Sequence, residues 1–108
     1  MRYKARPRPI PGKMNKLETE YSKHLKMLQM AGEVISFQFE SIKFKLAKAT
    51  FYNPDFIVVT NDQIEVHEVK GFWEDDARVK IKVAAEMFPY IQFKAIQKKK
   101  GKWVIEEF

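Results

Sequence analysis

The chain has 108 residues, a formal net charge of +6 and no cysteine. That length suits one domain with one hydrophobic core, and the lack of cysteine excludes disulfide bonds, thiolate metal sites and a cysteine nucleophile. No apolar stretch approaches the ~20 residues needed to span a bilayer, and no signal-peptide pattern follows the first residue, so we expect a cytoplasmic protein without a membrane partner.

Positive charge is concentrated near the two ends of the chain. Segment 1–16 holds six basic residues and no acidic one, and segment 98–102 adds four lysines, whereas segment 17–97 holds ten basic and twelve acidic residues. Basic ends on a slightly acidic body suggest that the periphery holds a polyanion such as nucleic acid, or that the lysines only aid solubility. The end residues expected to contact DNA are Arg6, Arg8, Lys13, Lys98, Lys99 and Lys100.

Residues 1–13 are rich in proline and basic residues and have no apolar period. This composition predicts a flexible or extended basic arm, followed by a single domain over residues 14–108. The arm could lie along a phosphate backbone, lie across a partner subunit, or remain disordered.

A helix is predicted directly after the arm. Asn15 is suited to the N-cap position, and Glu18, three residues on, completes a capping-box pattern. The apolar residues that follow at helical spacing are Leu17, Tyr21, Leu25 and Leu28. Glu18 lies at the edge of this stripe, so its carboxylate can reach inward along the packed face, while Glu20 should face water. Simple capping is the alternative role for Glu18.

The rest of the chain alternates between strand patterns and one further helix. Apolar alternation predicts a strand over 33–39, continued over 41–46 either as one bent strand or as a second short one. Two β-branched runs, 51–60 and 64–71, flank the polar turn 61–63 and predict a β-hairpin. A helix should follow the acidic residues 74–76, and strands near 91–95 and 103–105 should be joined by a basic turn over 97–101. The residues expected on the inward face of that helix are Val79, Val83, Ala84, Met87 and Phe88. This order predicts an α/β fold in which helices cover a mixed central sheet.

Three charged side chains fall where the predicted hairpin should be apolar. Asp55 lies near the start of the first strand, and Glu68 and Lys70 lie near the end of the second, so antiparallel pairing should bring them together. Two carboxylates supply the hard oxygen ligands that magnesium or manganese prefers, and Lys70 could orient or deprotonate an attacking water. Such a site could hydrolyse a phosphodiester, with a second ion if Glu18 joins it. The alternative is a structural salt bridge at a strand end.

This pattern resembles the PD-(D/E)XK nuclease superfamily. Asp55 follows a proline, Glu68 and Lys70 flank a single residue thirteen positions further on, and a helix with an acidic residue precedes them. The order of helix, strands, helix and strand is similar to the αβββαβ core of that superfamily, here with an extra C-terminal strand. The longer blocks 51–56 and 66–78 look like a small phage-borne group of the superfamily, the DUF1064 group, and the resemblance covers most of residues 14–108.

The resemblance implies a restriction-endonuclease-like core and a magnesium- or manganese-dependent DNA endonuclease. It would be structure-specific for branched or junction DNA and would act in a phage or prophage context within a bacterial host. Asp55, Glu68 and the backbone carbonyl of Val69 would bind the metal. Lys70 would be the catalytic lysine, and Glu18 would complete the site. The phosphate contacts implied for the second helix are Arg78, Lys80 and Lys82, although their spacing prevents all three from facing the site.

Two other functions stay open at this point. A non-catalytic nucleic-acid-binding protein could keep the nuclease fold, but it has no need of acidic residues beside phosphate. A partner-binding module with basic ends would leave the hairpin charges unexplained. A small domain with a basic arm also suits a homodimer that presents two sites to two strands. His67 alternates to the face opposite Glu68, which favours packing or surface exposure over a ligand role.

Overall fold

The computed structural model describes residues 12–108, so Arg6, Arg8 and most of the predicted arm lie outside the described part of the chain. Lys13 lies within it and is exposed just ahead of the first helix. The elements, in chain order, are α1 (Lys16–Met30), β1 (Ser36–Phe39), β2 (Phe44–Ala47), β3 (Thr50–Tyr52), β4 (Phe56–Val59), β5 (Ile64–Lys70), α2 (Asp75–Met87), β6 (Gln92–Lys99) and β7 (Lys102–Glu107).

Five strands form a mixed sheet in the order β1-β4-β5-β6-β7, and β2 pairs with β3 in a separate hairpin. Neighbours in the large sheet are antiparallel, except that β5 and β6 are parallel. The parallel pair requires a crossover, and α2 supplies it. The described residues therefore form an α/β fold of two helices, a mixed five-stranded sheet and an added hairpin, which confirms the predicted fold class at this level.

The two faces of the sheet carry two separate hydrophobic clusters. On one face, α1 packs its predicted stripe against the sheet, with Tyr21 and Leu25 fully buried beside Phe56 and Ile96. On the other face, α2 and the β2–β3 hairpin enclose a second cluster. Its buried members are Phe44, Tyr52, Val66, Ile81, Ala84 and Phe93. Neither helix in residues 12–108 is long and apolar enough to cross a membrane.

For the segment 33–46, the alternative of two short strands is confirmed, because Glu40 adopts a positive φ of 48° and the chain leaves the large sheet there to form the small hairpin. Two other strand predictions need correction. The run 51–60 is likewise divided at 53–55, where Pro54 separates β3 from β4. Finally, β6 extends to Lys99, so Lys98 and Lys99 are strand residues, and the turn is confined to Lys100 and Gly101.

The predicted inward face of α2 is partly wrong. Val79, Val83 and Met87 are exposed, whereas Ile81 and Ala84 are fully buried against the sheet. Ala84 and its neighbour Ala85 are small, so they let the helix approach the sheet closely, with Phe88 packing at the end of the same face. The side of the helix that carries Ile81 and Ala84, and not the side that carries Val79 and Val83, therefore faces the core.

Candidate active site

Asp55, Glu68 and Lys70 meet at one end of the central sheet, as the sequence predicts. The β4–β5 register pairs Phe56 with His67, which places Asp55 beside the last residues of β5. Asp55 Oδ2 accepts a hydrogen bond of 2.8 Å from the backbone N–H of Val69. Both carboxylates are buried, so the sheet end holds two acidic groups with little access to bulk water.

Both carboxylate oxygens of Glu68 have partners. The hydroxyl of Tyr52 donates to Oε1 at 2.8 Å, and the ammonium of Lys70 lies 3.1 Å from Oε2. Tyr52 comes from the small hairpin, so β3 fixes the orientation of a side chain on β5. The sequence places Tyr52 in a strand but gives no signal that it belongs to this site.

The surroundings of Asp55 change its protonation. Burial raises the pKa of Asp55 well above its usual range, and the neighbouring charge of Glu68 and the contact with Glu18 raise it further. The hydrogen bond from Val69 acts in the opposite direction but does not cancel these effects. Burial alone would lower the pKa of Lys70, but the attraction of Glu68, Asp55 and Glu18 outweighs it and raises that pKa. Lys70 is therefore held as an ammonium ion.

Glu18 makes the predicted helix cap and also lies near Asp55. Its Oε1 accepts a hydrogen bond of 2.8 Å from the backbone N–H of Asn15, and Asn15 Oδ1 accepts one of 2.8 Å from the N–H of Glu18, which completes the capping box. The same carboxyl group lies close enough to Asp55 to raise its pKa. Glu20, by contrast, lies farther round the helix and pairs with Lys98 at 2.6 Å.

Two open pockets flank Lys70. One has a volume of about 370 Å³ and is lined by Lys70, Gly71, Phe72, Glu74 and Ala77. The other has a volume of about 340 Å³ and is lined by Phe51, Tyr52, Asn53, Glu68, Lys70, Glu74, Asp76, Ala77 and Lys80. Sequence reasoning assigns Glu74 and Asp76 only to the start of α2. Their position in the pockets follows from the way α2 is placed over the end of β5.

The site has few side chains that could hold a divalent cation. Among residues 12–108 there is no group of three or more His, Cys, Asp or Glu side chains arranged to hold a metal ion. Magnesium, however, is commonly held by one or two carboxylates together with water and substrate phosphate. Asp55 and Glu68 fit that smaller requirement. A cation between them would offset the repulsion from Glu68, which acts together with burial to raise the pKa of Asp55.

The basic residues predicted to bind phosphate fall in different places. The Arg78 guanidinium forms two hydrogen bonds to Glu106, of 2.8 and 2.7 Å, and so points to β7 rather than to the site. Lys80 lies on the other flank of α2, lines the second pocket and donates to the carbonyl of Phe51 at 3.2 Å. Lys82 is exposed. Lys98 and Lys99 end β6, and Lys100 follows them in the turn. The parallel pairing of β6 with β5 places all three at the same sheet end as Lys70.

His67 belongs to a buried network on the opposite face from Glu68, and the packing interpretation is confirmed. Its Nδ1 lies 2.6 Å from the hydroxyl of Tyr21, and its Nε2 lies 2.7 Å from Glu65 Oε1. A carboxylate can only accept, so Nε2 carries the hydrogen and Nδ1 accepts from Tyr21. Burial lowers the pKa of His67, which keeps the ring neutral.

No protein-family model matches the chain, and a search of curated proteins finds no similar sequence.

Proposed function

We propose that the protein is a magnesium- or manganese-dependent DNA endonuclease of the PD-(D/E)XK type, which hydrolyses phosphodiester bonds in branched or junction DNA. The observation that carries the proposal is the meeting of Asp55, Glu68 and Lys70 at one sheet end. There the two acids are buried and the lysine lies 3.1 Å from Glu68. A purely structural salt bridge would need one acid, and a second buried carboxylate beside it adds repulsion.

The order of elements supports the same proposal. Without the β2–β3 hairpin, the chain runs α1, β1, β4, β5, α2 and β6, and the sheet keeps β1, β4, β5 and β6 as consecutive neighbours. This order is compatible with the αβββαβ core of the proposed superfamily, in which β7 would be the extra C-terminal strand. The acidic residues lie on β5 and just before β4, the two central strands of this unit.

The chain's own residues have separate roles in the proposed reaction. Asp55, Glu68 and the carbonyl of Val69 would hold the cation, with Glu18 as a further ligand if a second ion binds. The bound cation would polarise the scissile phosphate and stabilise charge on the leaving oxygen. Because the pKa of Lys70 is raised, its ammonium group suits orienting the attacking water and offsetting phosphate charge better than removing a proton.

Basic residues on both sides of the acids support DNA as the substrate. Lys98 and Lys99 end β6, the strand next to β5, about 5 Å away in the sheet. On the other side, the N–H of Gly12 donates to Glu40 at 2.8 Å, and the N–H of Glu40 donates to the carbonyl of Asp55 at 2.8 Å. The chain therefore enters the domain beside the acids. Lys13, which is exposed, follows Gly12 directly and so lies on this side of the acids. A homodimer would present two such sites to two strands.

A second candidate, a nucleic-acid-binding protein without catalysis, has one observation in its favour. Both oxygens of Glu68 already have protein partners, so a cation would have to compete with Tyr52 and Lys70. The proposed setting for either function is a phage or prophage protein in the bacterial cytoplasm.

The discriminating experiment is cleavage of labelled duplex, flap and four-way-junction DNA with magnesium, with manganese and with EDTA. We expect metal-dependent nicking that Lys70→Ala abolishes while circular dichroism stays unchanged. Lys26→Ala is the matched control, since Lys26 is exposed on α1 away from the acids. Equal cleavage by Lys70→Ala and the parent would refute the mechanism. DNA binding without cleavage by any form would favour the second candidate.

A further inference from the structure

We infer that Phe72 and Glu74 form a binding site for an unpaired nucleobase beside the scissile phosphate. The inference rests on the proposed nuclease function and specifies the kind of strand that its site accepts. It assigns the first of the two pockets, the one of about 370 Å³ next to Lys70.

The first observation is the placement of an exposed aromatic ring. Phe72 follows Lys70 by two residues, lines this pocket and leaves 57% of its surface exposed. It belongs to neither hydrophobic cluster, so packing of the core does not account for it. An exposed ring beside a phosphate-handling lysine is suited to stack on a base, because every base presents an aromatic face.

The second observation concerns Glu74. It occupies the N-cap position of α2, yet its side chain makes no capping hydrogen bond, which leaves the carboxylate available to the pocket. Among the described residues that line this pocket, Lys70 is the one cation, and it is paired with Glu68. The lining therefore has little net positive charge to draw a phosphate into the pocket itself, whereas the Glu74 carboxylate can accept hydrogen bonds from the amino groups of cytosine, adenine or guanine.

An unpaired base is required by geometry. In a duplex the faces of the bases are covered by their neighbours in the stack, so Phe72 can reach a base face only where the strand is single or the base is extruded. The backbone phosphate of that nucleotide would then lie toward Lys70, and the base would turn into the pocket between Phe72 and Glu74. The site thus selects strands with an unpaired nucleotide at the point of cleavage.

The chain offers a matched control for the ring. Tyr90 is also an exposed aromatic, with 74% of its surface accessible, but it precedes β6 and so lies at the end of the sheet opposite Lys70. Substitution of either ring should leave the fold intact, because neither is buried. Tyr90→Ala therefore reports the general effect of removing a surface aromatic.

The experiment measures binding of a fluorescent single-stranded oligonucleotide and of a blunt duplex of the same sequence in EDTA, then cleavage of both with manganese. Phe72→Ala should weaken single-strand binding roughly 5- to 150-fold, the range for loss of one stacked base, and change duplex binding less than about twofold. Phe72→Trp should retain single-strand binding and Phe72→Leu should not. Tyr90→Ala should leave the binding of both oligonucleotides unchanged.

Two results of the binding measurement would overturn the inference. Equal weakening of both substrates by Phe72→Ala would mean a general contact, and full single-strand binding by Phe72→Leu would mean apolar contact without stacking. Failure of the proposed function looks different, since the parent would then cleave no substrate with any metal. If the parent cleaves DNA and Phe72→Ala keeps the same preference for single strands, the base-binding site is refuted while the nuclease function stands.

Discussion

Replacement of Asp55 by asparagine should stabilise the metal-free protein, although it removes a residue that we place at the centre of the site. Burial and the nearby carboxylates of Glu68 and Glu18 raise the pKa of Asp55 from 3.8 to about 9. Asparagine has nearly the same shape, and its amide oxygen can still accept the hydrogen bond from Val69. The substitution therefore removes the unfavourable charge and keeps the contact.

The direction of the pH dependence follows from the raised pKa. A carboxyl group whose pKa is higher in the folded state contributes its full stability below pH 4 and loses it as the pH rises toward 9. Between pH 3.8 and pH 7 the free energy of unfolding lost by the parent has an upper limit of about 4 kcal/mol, at about 1.4 kcal/mol per pH unit. Asp55→Asn does not recover this whole amount, because the N–H groups of the buried asparagine amide also need hydrogen-bond partners. We expect Asp55→Asn to be at least about 1 kcal/mol more stable than the parent at pH 8, or roughly 4–8 °C in Tm.

The assay is thermal unfolding at pH 4, 6 and 8 in EDTA, repeated with 10 mM manganese. The advantage of Asp55→Asn should be absent at pH 4 and grow with pH. Manganese should raise the Tm of the parent at pH 8 and have little effect on the variant. Asp62→Asn is the control, because Asp62 is exposed in the β4–β5 turn. A variant less stable than the parent at pH 8 in EDTA would refute the argument from carboxylate crowding.

Three further predictions test other parts of the structure. Ile81→Ala should lower the free energy of unfolding in urea by about 2–4 kcal/mol, and Val79→Ala should lower it by no more than about 0.5 kcal/mol. Equal losses in the two variants would contradict the assignment of Ile81 to the buried face of α2. Tyr52→Phe removes the hydrogen bond to Glu68 and should reduce metal-dependent cleavage roughly 10- to 100-fold with unchanged circular dichroism, whereas parental rates would show that Glu68 needs no positioning. The hydrogen bond from His67 outweighs burial and lowers the pKa of Glu65 to about 2, so the stability that Glu65 contributes is present above pH 4.5 and lost toward pH 2. The Tm difference between the parent and Glu65→Gln should therefore shrink as the pH falls through that range, and a constant difference would contradict this assignment.

The sequence by itself determines the local features of this protein. The capping box at Asn15, the apolar stripe with Tyr21 and the hairpin turn at 61–63 all depend on residues close together in the chain, and all three appear in the structure. The meeting of Asp55 with Glu68 could also be predicted, because antiparallel pairing across a short turn fixes which residues are neighbours. These features can be predicted without knowing how distant parts of the chain pack together.

Tertiary structure alone decides which surface each element presents and which distant residues meet. Helix α2 carries one apolar stripe through Val83 and another through Ile81, and only packing on the sheet and the small hairpin selects the second. The hydrogen bond from Tyr52 to Glu68 depends on the chain leaving the large sheet at Glu40, a positive-φ position that no apolar period marks. Contacts of this kind join residues that are far apart in the chain, so their partners are set by the assembled core and not by local sequence.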